Sequence, residues 1–120
     1  MPFRDDRAHL QDILESIAHI DAFLGEMAFE VYQNDLKTRS AVERQIQILT
    51  EAAKRLGEES GPKYLGQDWR SYCNMGNIIR HAYHRVNDEI VWGMVKKDLP
   101  ELKASVERAL QPKPPESAPR

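Results

Sequence analysis

Apolar residues recur at steps of three and four along most of this 120-residue chain, which is the period of helices that each bury one face. The first apolar stripe comprises Leu10, Ile13, Leu14, Ile17 and Leu24. Gly25 follows it directly and predicts the end of the first helix. No segment shows the strict alternation of a half-buried strand. The period therefore predicts an all-α fold.

The second long helix is expected to end at Gly57. Its stripe comprises Val42, Ile46, Leu49, Ala53 and Leu56. The stretch "GPKYLGQ", residues 61–67, has two glycines and a proline in seven positions and predicts a loop. Between the two long helices, residues 27–34 are too short to classify and fit either a short helix or an ordered connection.

Three further helices are expected beyond this loop. The third runs from Trp69 to about Tyr83, and the fourth begins after Asn87, a potential cap flanked by apolar residues at the spacing of a hydrophobic staple. Pro100 suits the first turn of the fifth. We expect residues 1–110 to form one up-and-down bundle of about five helices, and the proline-rich residues 111–120 to be disordered.

The single cysteine, Cys73, excludes an internal disulfide and a multi-cysteine zinc site, and it fits a reducing compartment. The N-terminal "MPFRDDRAHL" lacks the apolar run of a signal peptide, and no later stretch has the length of a membrane span. We therefore expect a cytoplasmic protein without membrane association.

The net charge of −2 argues against a protein that coats nucleic acid through bulk electrostatics. The charge is unevenly distributed, since residues 1–36 carry two basic and eight acidic side chains, whereas residues 69–97 carry five basic and two acidic ones. Such polarity attracts a phosphate-bearing ligand to one end or matches an oppositely charged partner. Uneven surface charge without a function is the alternative.

The stretch "RHAYHR", residues 80–85, concentrates arginine, histidine and tyrosine. On a helical wheel, one polar face contains Asn77, Arg80, His81 and His84. The opposite, apolar face contains Met75, Ile78, Ile79 and Ala82. Guanidinium groups bind phosphate oxygens and imidazole exchanges protons near neutral pH, so the polar face is a candidate phosphate site. A solvent-facing helix surface without chemistry is the alternative, and a metal site lacks a third ligand at a familiar spacing.

The segment "GNIIRHAYHRVNDEIVWGMVKKDLPEL", together with "AVERQIQILTEAAKRLGEES", resembles the HepT-like proteins of the HEPN superfamily, which are toxins of two-gene toxin–antitoxin systems. The triplet "HAY" matches the histidine-any-tyrosine end of the family signature. The resemblance implies a helical bundle that dimerises, with signature residues of both subunits lining a shared cleft. It implies a metal-independent endoribonuclease that needs no cofactor and acts on RNA.

The resemblance assigns roles to residues of this chain. His81 would move protons while the ribose 2′-hydroxyl attacks its own phosphate, with Arg80 and Asn77 beside it. Tyr83 would receive AMP from a minimal nucleotidyltransferase antitoxin, which adds bulk and negative charge to an RNA-binding cleft. Arg85 and His84 would bind phosphate. A structural role at the border of two helix faces is the alternative for the tyrosine.

One position departs from the signature. The family has an arginine before the histidine at the position of Gly76. Arg80 and Arg85 are candidates to replace its guanidinium, although we expect position 76 to lie on a different part of the helix from either of them. The departure leaves open a second function, a non-catalytic HEPN-fold dimer that binds RNA or the nucleotidyltransferase.

Overall fold

The computed structural model describes residues 2–81 and 84–112, and the side chains of residues 5–80 and 88–112. It contains the helices α1 (Pro2–Leu24), α2 (Phe29–Gln33), α3 (Leu36–Leu65), α4 (Trp69–His81), α5 (His84–Gly93) and α6 (Leu99–Leu110). A 3-10 turn, Gly66–Asp68, joins α3 to α4, and a π-helical turn, Met94–Asp98, joins α5 to α6. The described residues include no strand, so the prediction of an all-α fold is confirmed. The tail predicted to be disordered lies outside the described residues from position 113 onwards.

Helices α1, α3 and α4 run alternately up and down. Ser60 Oγ donates a hydrogen bond of 2.7 Å to a carboxylate oxygen of Asp6, while His19 lies 3.3 Å from the Gln45 amide oxygen at the other end of the pair. Residue numbers that rise along α1 and fall along α3 identify an antiparallel pair. α4 packs back along α3 in turn, and α6 packs against both α1 and α3.

The core lies where the apolar stripes of these helices meet. From α1 it contains Leu10, Ile13, Ile17, Ile20 and Leu24; from α3, Val42, Ile46, Leu49, Ala53 and Leu56. On α4, Met75 and Ile79 are buried and Ile78 is partly buried, as the helical wheel predicts. Ala82, the fourth residue expected on that face, lies outside the described residues.

The helix break predicted at Gly57 is confirmed, but the loop predicted at residues 61–67 is wrong, because a second helical segment follows Gly57. α3 continues to Leu65 and bends at Gly57, where φ is 81°. This positive φ, which glycine adopts at low cost, breaks the helical geometry, so that α3 consists of two helical segments that meet in a kink. The second helical segment then brings Gly61 against the indole ring of Trp69, whose Nε1 donates a 2.8 Å hydrogen bond to the Ala53 carbonyl.

The predicted start of the fourth helix after Asn87 is also wrong, because α5 begins at His84. A cap pattern does not fix the first residue of a helix when the residues before it are themselves compatible with helix. Gly93 and Asp98 both keep right-handed helical backbone angles, so α5 continues through the π turn into α6. Pro100 occupies the first turn of α6 as predicted. No helix within the described part of the chain is long and apolar enough to cross a bilayer.

Candidate functional site

The exposed face of α4 carries a ladder of three polar side chains. Asn77 Nδ2 donates a 3.3 Å hydrogen bond to Asn74 Oδ1, and Arg80 Nη2 donates a short hydrogen bond to Asn77 Oδ1. Each pair is three residues apart, so the side chains stand one above another on the helix. The amide of Asn77 thereby holds the Arg80 guanidinium on the α4 face that ends at His81.

The predicted site residues fall into two groups. The structure brings Asn77 and Arg80 into contact one turn before the end of α4. The side chains of His81, His84 and Arg85, and the whole of Tyr83, lie outside the described residues. Asn74 is a member of the ladder that sequence analysis did not select, although its three-residue spacing from Asn77 is the signal that would have found it.

The segment that carries "RHAYHR" is anchored by the elements on both sides. Before it, α4 packs against α3. After it, Asp88 is buried and its carboxylate lies 3.3 Å from the Arg39 guanidinium on α3. The Trp92 ring packs with Tyr32 of α2 at a centroid separation of 5.2 Å. Both ends of the segment therefore have fixed positions on the same bundle.

Gly76 is buried where α4 approaches α3. A Cβ atom at this position would lie 3.1 Å from Cγ2 and 3.6 Å from Oγ1 of Thr50. Thr50 is itself buried, and its hydroxyl has no hydrogen-bond partner within the described part of the chain. An arginine at position 76 would have to displace Thr50, whose β-branched side chain has restricted rotamers in a helix.

A cleft of about 350 Å³ runs between α3 and α4 next to this contact. Gly76 and Thr50 lie in its wall, together with three arginines, Arg44 and Arg55 from α3 and Arg80 from α4. Gly76 and Arg80 are four residues apart and border the same cleft, so the expectation that they occupy different parts of the helix is wrong for Arg80. A four-residue step rotates a helical position by only about 40°.

The cleft contains more cationic than anionic groups. Its carboxylates are Asp12 on α1 and Glu51 on α3, and the latter lies 3.9 Å from the Lys54 ammonium group. Among the described residues, Arg44 and Arg55 make no ion pair. Sequence analysis missed both arginines. Their eleven-residue separation places them on one side of α3, but only the packing of α4 makes that side part of a cleft.

A second cleft, on the other side of α4, is acidic and surrounds Tyr72. Burial raises the pKa of the Tyr72 phenol to about 12, and the nearby carboxylates of Asp68, Glu101 and Asp98 add to the shift. In the part of the chain that is described, no three histidine, cysteine or acidic side chains cluster as metal ligands would.

Cys73 is half-buried beside the polar ladder. Burial raises the pKa of its thiol, although the positive charges of Lys54 and Arg70 partly oppose that effect. A raised pKa keeps the thiol protonated at neutral pH and disfavours a role as nucleophile. The candidates for chemistry on this face are therefore the amides, the arginines and the "RHAYHR" segment, and not the thiol.

Comparison with known proteins identifies the family. A family model described as "Ribonuclease HepT-like" matches residues 13–109, which include α3, α4 and α5. The chain belongs to the HepT-like ribonuclease family. This confirms the resemblance found in the sequence.

Relatives in two archaea support the same assignment. A protein of Methanocaldococcus jannaschii named "Putative RNase" is 36% identical over 100 residues, which cover 83% of each chain. A protein of Thermococcus cleftensis named "Probable ribonuclease HepT" is 34% identical over 105 residues, which cover 88% of this chain and 96% of the relative. No solved structure matches significantly. The family match includes all the residues of α3 and α4 that line the cleft.

Proposed function

We propose that this protein is the toxin of a two-gene toxin–antitoxin system and acts as a metal-independent endoribonuclease. The observation that carries the proposal is the Asn77–Arg80 hydrogen bond on α4, in a HepT-like chain, directly before His81. The bond holds the guanidinium group of the residue that directly precedes, in sequence, the histidine of the family signature. Such a pairing suits a phosphodiester, because arginine binds the phosphate oxygens while histidine exchanges protons.

The cleavage step needs one base and one anion-binding group. His81 accepts the proton of the ribose 2′-hydroxyl while that oxygen attacks the adjacent phosphorus. The bond from phosphorus to the 5′-oxygen breaks, and the leaving oxygen takes up a proton from solvent water, so the products are a 2′,3′-cyclic phosphate and a 5′-hydroxyl end. Arg80 stabilises the negative charge on the phosphoryl oxygens, and Asn77 positions its guanidinium. Arg85 and His84 bind neighbouring phosphates.

Arg80 is the proposed replacement for the missing signature arginine. Gly76 and Arg80 border the same cleft, so a guanidinium from position 80 enters the region that one from position 76 would occupy. The short contact between Gly76 and Thr50 excludes a larger side chain without rearrangement. The phosphate-binding role therefore moves one turn along α4, towards His81.

The biological assembly in this proposal is a cytoplasmic homodimer. Residues 1–110 form its single domain, and the cleft at the dimer interface combines signature residues of both subunits. A minimal nucleotidyltransferase antitoxin transfers AMP to Tyr83, whose modified side chain then repels and obstructs RNA. Sedimentation equilibrium tests the assembly, because a mass of one chain at all concentrations would contradict a shared cleft.

The nuclease proposal is tested by RNA cleavage in the presence of EDTA. Wild-type protein is expected to cleave RNA. His81→Ala is expected to be inactive, and Arg80→Gln to lose about a hundredfold in rate, since it lacks a charge-stabilising donor. Arg108→Gln is the control, because Arg108 is exposed on α6, away from the cleft, and its guanidinium donates a hydrogen bond to Ser105. Equal cleavage by wild type and His81→Ala would contradict the proposal.

A second function has one observation in its favour. Position 76 lacks the signature arginine, and a side chain there would require Thr50 to shift by a few tenths of an ångström. A non-catalytic dimer that binds RNA or the nucleotidyltransferase through the same cleft would tolerate this loss. If wild type is inert and Gly76→Arg is active, the chain is a disarmed nuclease. If both are inert while RNA binding persists, the binding function is correct.

A further inference from the structure

We propose that Arg44, Arg55 and Thr50 of α3 form an RNA-backbone subsite, separate from the signature residues of α4. The inference rests on the proposed function, since it assigns to the ribonuclease a second place where its substrate is held. Arg80 joins the two, because it follows Asn77 in the polar ladder and also borders the α3–α4 cleft.

The charges of the cleft favour an anionic ligand. Arg44 and Arg55 are exposed, face the cleft, and make no ion pair among the described residues. Lys54 lies beside Glu51 and offsets one of the two carboxylates of the cleft. Guanidinium groups without a protein partner are available to phosphate oxygens, which they bind through two parallel hydrogen bonds.

Thr50 is a further group that favours a ligand in the cleft. The side chain is 2% exposed, and its hydroxyl has no hydrogen-bond partner within the described residues. A buried hydroxyl without a partner is unfavourable, so a turn of the Thr50 side chain towards a ligand oxygen in the cleft gains a hydrogen bond that the described residues do not supply. Thr50 and Gly76 pack against each other and line the same cleft as the three arginines.

The length of the cleft favours several consecutive phosphates of a nucleic-acid strand, rather than a single anion, as its ligand. Arg44 and Arg55 are eleven residues apart, which separates them by about 16 Å along α3. One strand of a nucleic-acid duplex carries a phosphate about every 3.4 Å of axis, so this distance accommodates several phosphates. Arg80, next in sequence to His81, lies one turn beyond Gly76 on the antiparallel α4 and so at the Arg44 end of the cleft, which continues past Thr50 to Arg55. A strand bound there leads directly from the proposed site of cleavage.

The test measures binding without cleavage. A fluorescent 2′-O-methyl RNA lacks the attacking hydroxyl, so its affinity is measured by anisotropy whether or not the protein is a nuclease. The double variant Arg44→Gln/Arg55→Gln is expected to bind about tenfold more weakly or worse at low salt. Loss of two phosphate contacts should also reduce the slope of log affinity against log salt by about 1.4.

Two further variants separate the subsite from general charge and from folding. Arg108→Gln removes a positive charge from α6 and is expected to leave affinity within about twofold. Thr50→Val keeps the shape of the side chain but removes the hydroxyl; it is expected to remain folded by circular dichroism and to bind severalfold more weakly. Unchanged affinity in Thr50→Val would remove the hydroxyl from the subsite.

The outcomes distinguish this proposal from the nuclease assignment. If wild type binds the 2′-O-methyl RNA and the double variant does not, the subsite holds even when wild type fails to cleave RNA. If wild type cleaves RNA but the double variant binds as tightly as Arg108→Gln, the subsite is wrong and the nuclease assignment stands. Absence of binding by wild type would also overturn the subsite.

Discussion

Gly76 and Thr50 bring α4 and α3 together at the wall of the arginine-lined cleft, with 3.1 Å between the Cβ position of the glycine and Cγ2 of the threonine. This separation is shorter than an ordinary carbon–carbon contact of about 3.5–4.0 Å. The residue that departs from the family signature is therefore also the residue that allows the two helices to approach. A single packing relationship links the missing arginine to the shape of the cleft.

Gly76→Ala is expected to destabilise the protein by about 1 kcal/mol. Alanine favours helix by up to about 1 kcal/mol over glycine, but overpacking against a stiff, buried threonine costs about 1–3 kcal/mol. Chemical denaturation measures the difference in free energy of unfolding. In a Thr50→Ser background the obstructing methyl is absent, and the same alanine is expected to stabilise the protein by about 0.5–1 kcal/mol. Equal effects in both backgrounds would show that the contact does not limit position 76.

Gly61→Ala is expected to destabilise the protein by about 3 kcal/mol. A Cβ atom at Gly61 would overlap the Trp69 indole, which is held in place by its hydrogen bond to Ala53. Gly93→Ala is the matched control, because Gly93 has helical backbone angles and open space around its Cβ position. That variant is expected to gain about 0.5–1 kcal/mol in the free energy of unfolding. A small loss in Gly61→Ala would mean that Trp69 moves aside.

The helix cap at the N-terminus of α3 is expected to make a pH-dependent contribution to stability. Asp35 accepts hydrogen bonds from the backbone N–H and the hydroxyl of Thr38, at 3.1 and 2.9 Å, and these bonds lower the pKa of its carboxyl group. A lowered folded-state pKa adds stability above the unfolded value of about 4, and that stability is lost as the pH falls through the folded value. Asp35→Ala is therefore expected to lower the unfolding temperature at pH 7, by an amount that shrinks below about pH 4.

Asp35→Asn is the control for this cap. Asparagine caps a helix about as well as aspartate but carries no charge. This variant is expected to be less destabilised than the alanine variant at pH 7, and to show no cap contribution that titrates near pH 4. A pH-independent difference between wild type and Asp35→Ala would assign the stabilisation to something other than the carboxylate.

The sequence was sufficient to predict the fold because each long helix carries a clear apolar stripe. The Gly25 stop and Pro100 in the first turn of α6 follow local rules and were predicted correctly. The break at Gly57 was also predicted, whereas the helical segment after it, in which Gly61 packs on Trp69, was not. The presence of a glycine in the sequence does not reveal that tertiary contact.

The residues of the candidate site likewise fall into those that the sequence predicts and those that it does not. Asn77 and Arg80 lie on one helix at a three-residue spacing, which a helical wheel reproduces. Arg44 and Arg55 reach the cleft only because α4 packs antiparallel to α3, and this packing is not visible in the α3 sequence. Residues related by helical period can be found from sequence, whereas residues related by helix packing require the structure.

Transfer of AMP to the protein is expected at Tyr83 and at no other tyrosine. Incubation with ATP, magnesium and a minimal nucleotidyltransferase of the proposed antitoxin type should add one AMP mass to the peptide that contains Tyr83, and Tyr83→Phe should remain unmodified. Tyr72 is an internal control, because it is buried and its pKa is raised to about 12, which disfavours the phenolate needed for attack. Tyr64, which is only partly buried, controls for transfer governed by accessibility alone. The modified protein should also lose RNA cleavage. Mass mapped by fragmentation to Tyr64 or Tyr72, or full cleavage after modification of Tyr83, would contradict the proposed neutralisation.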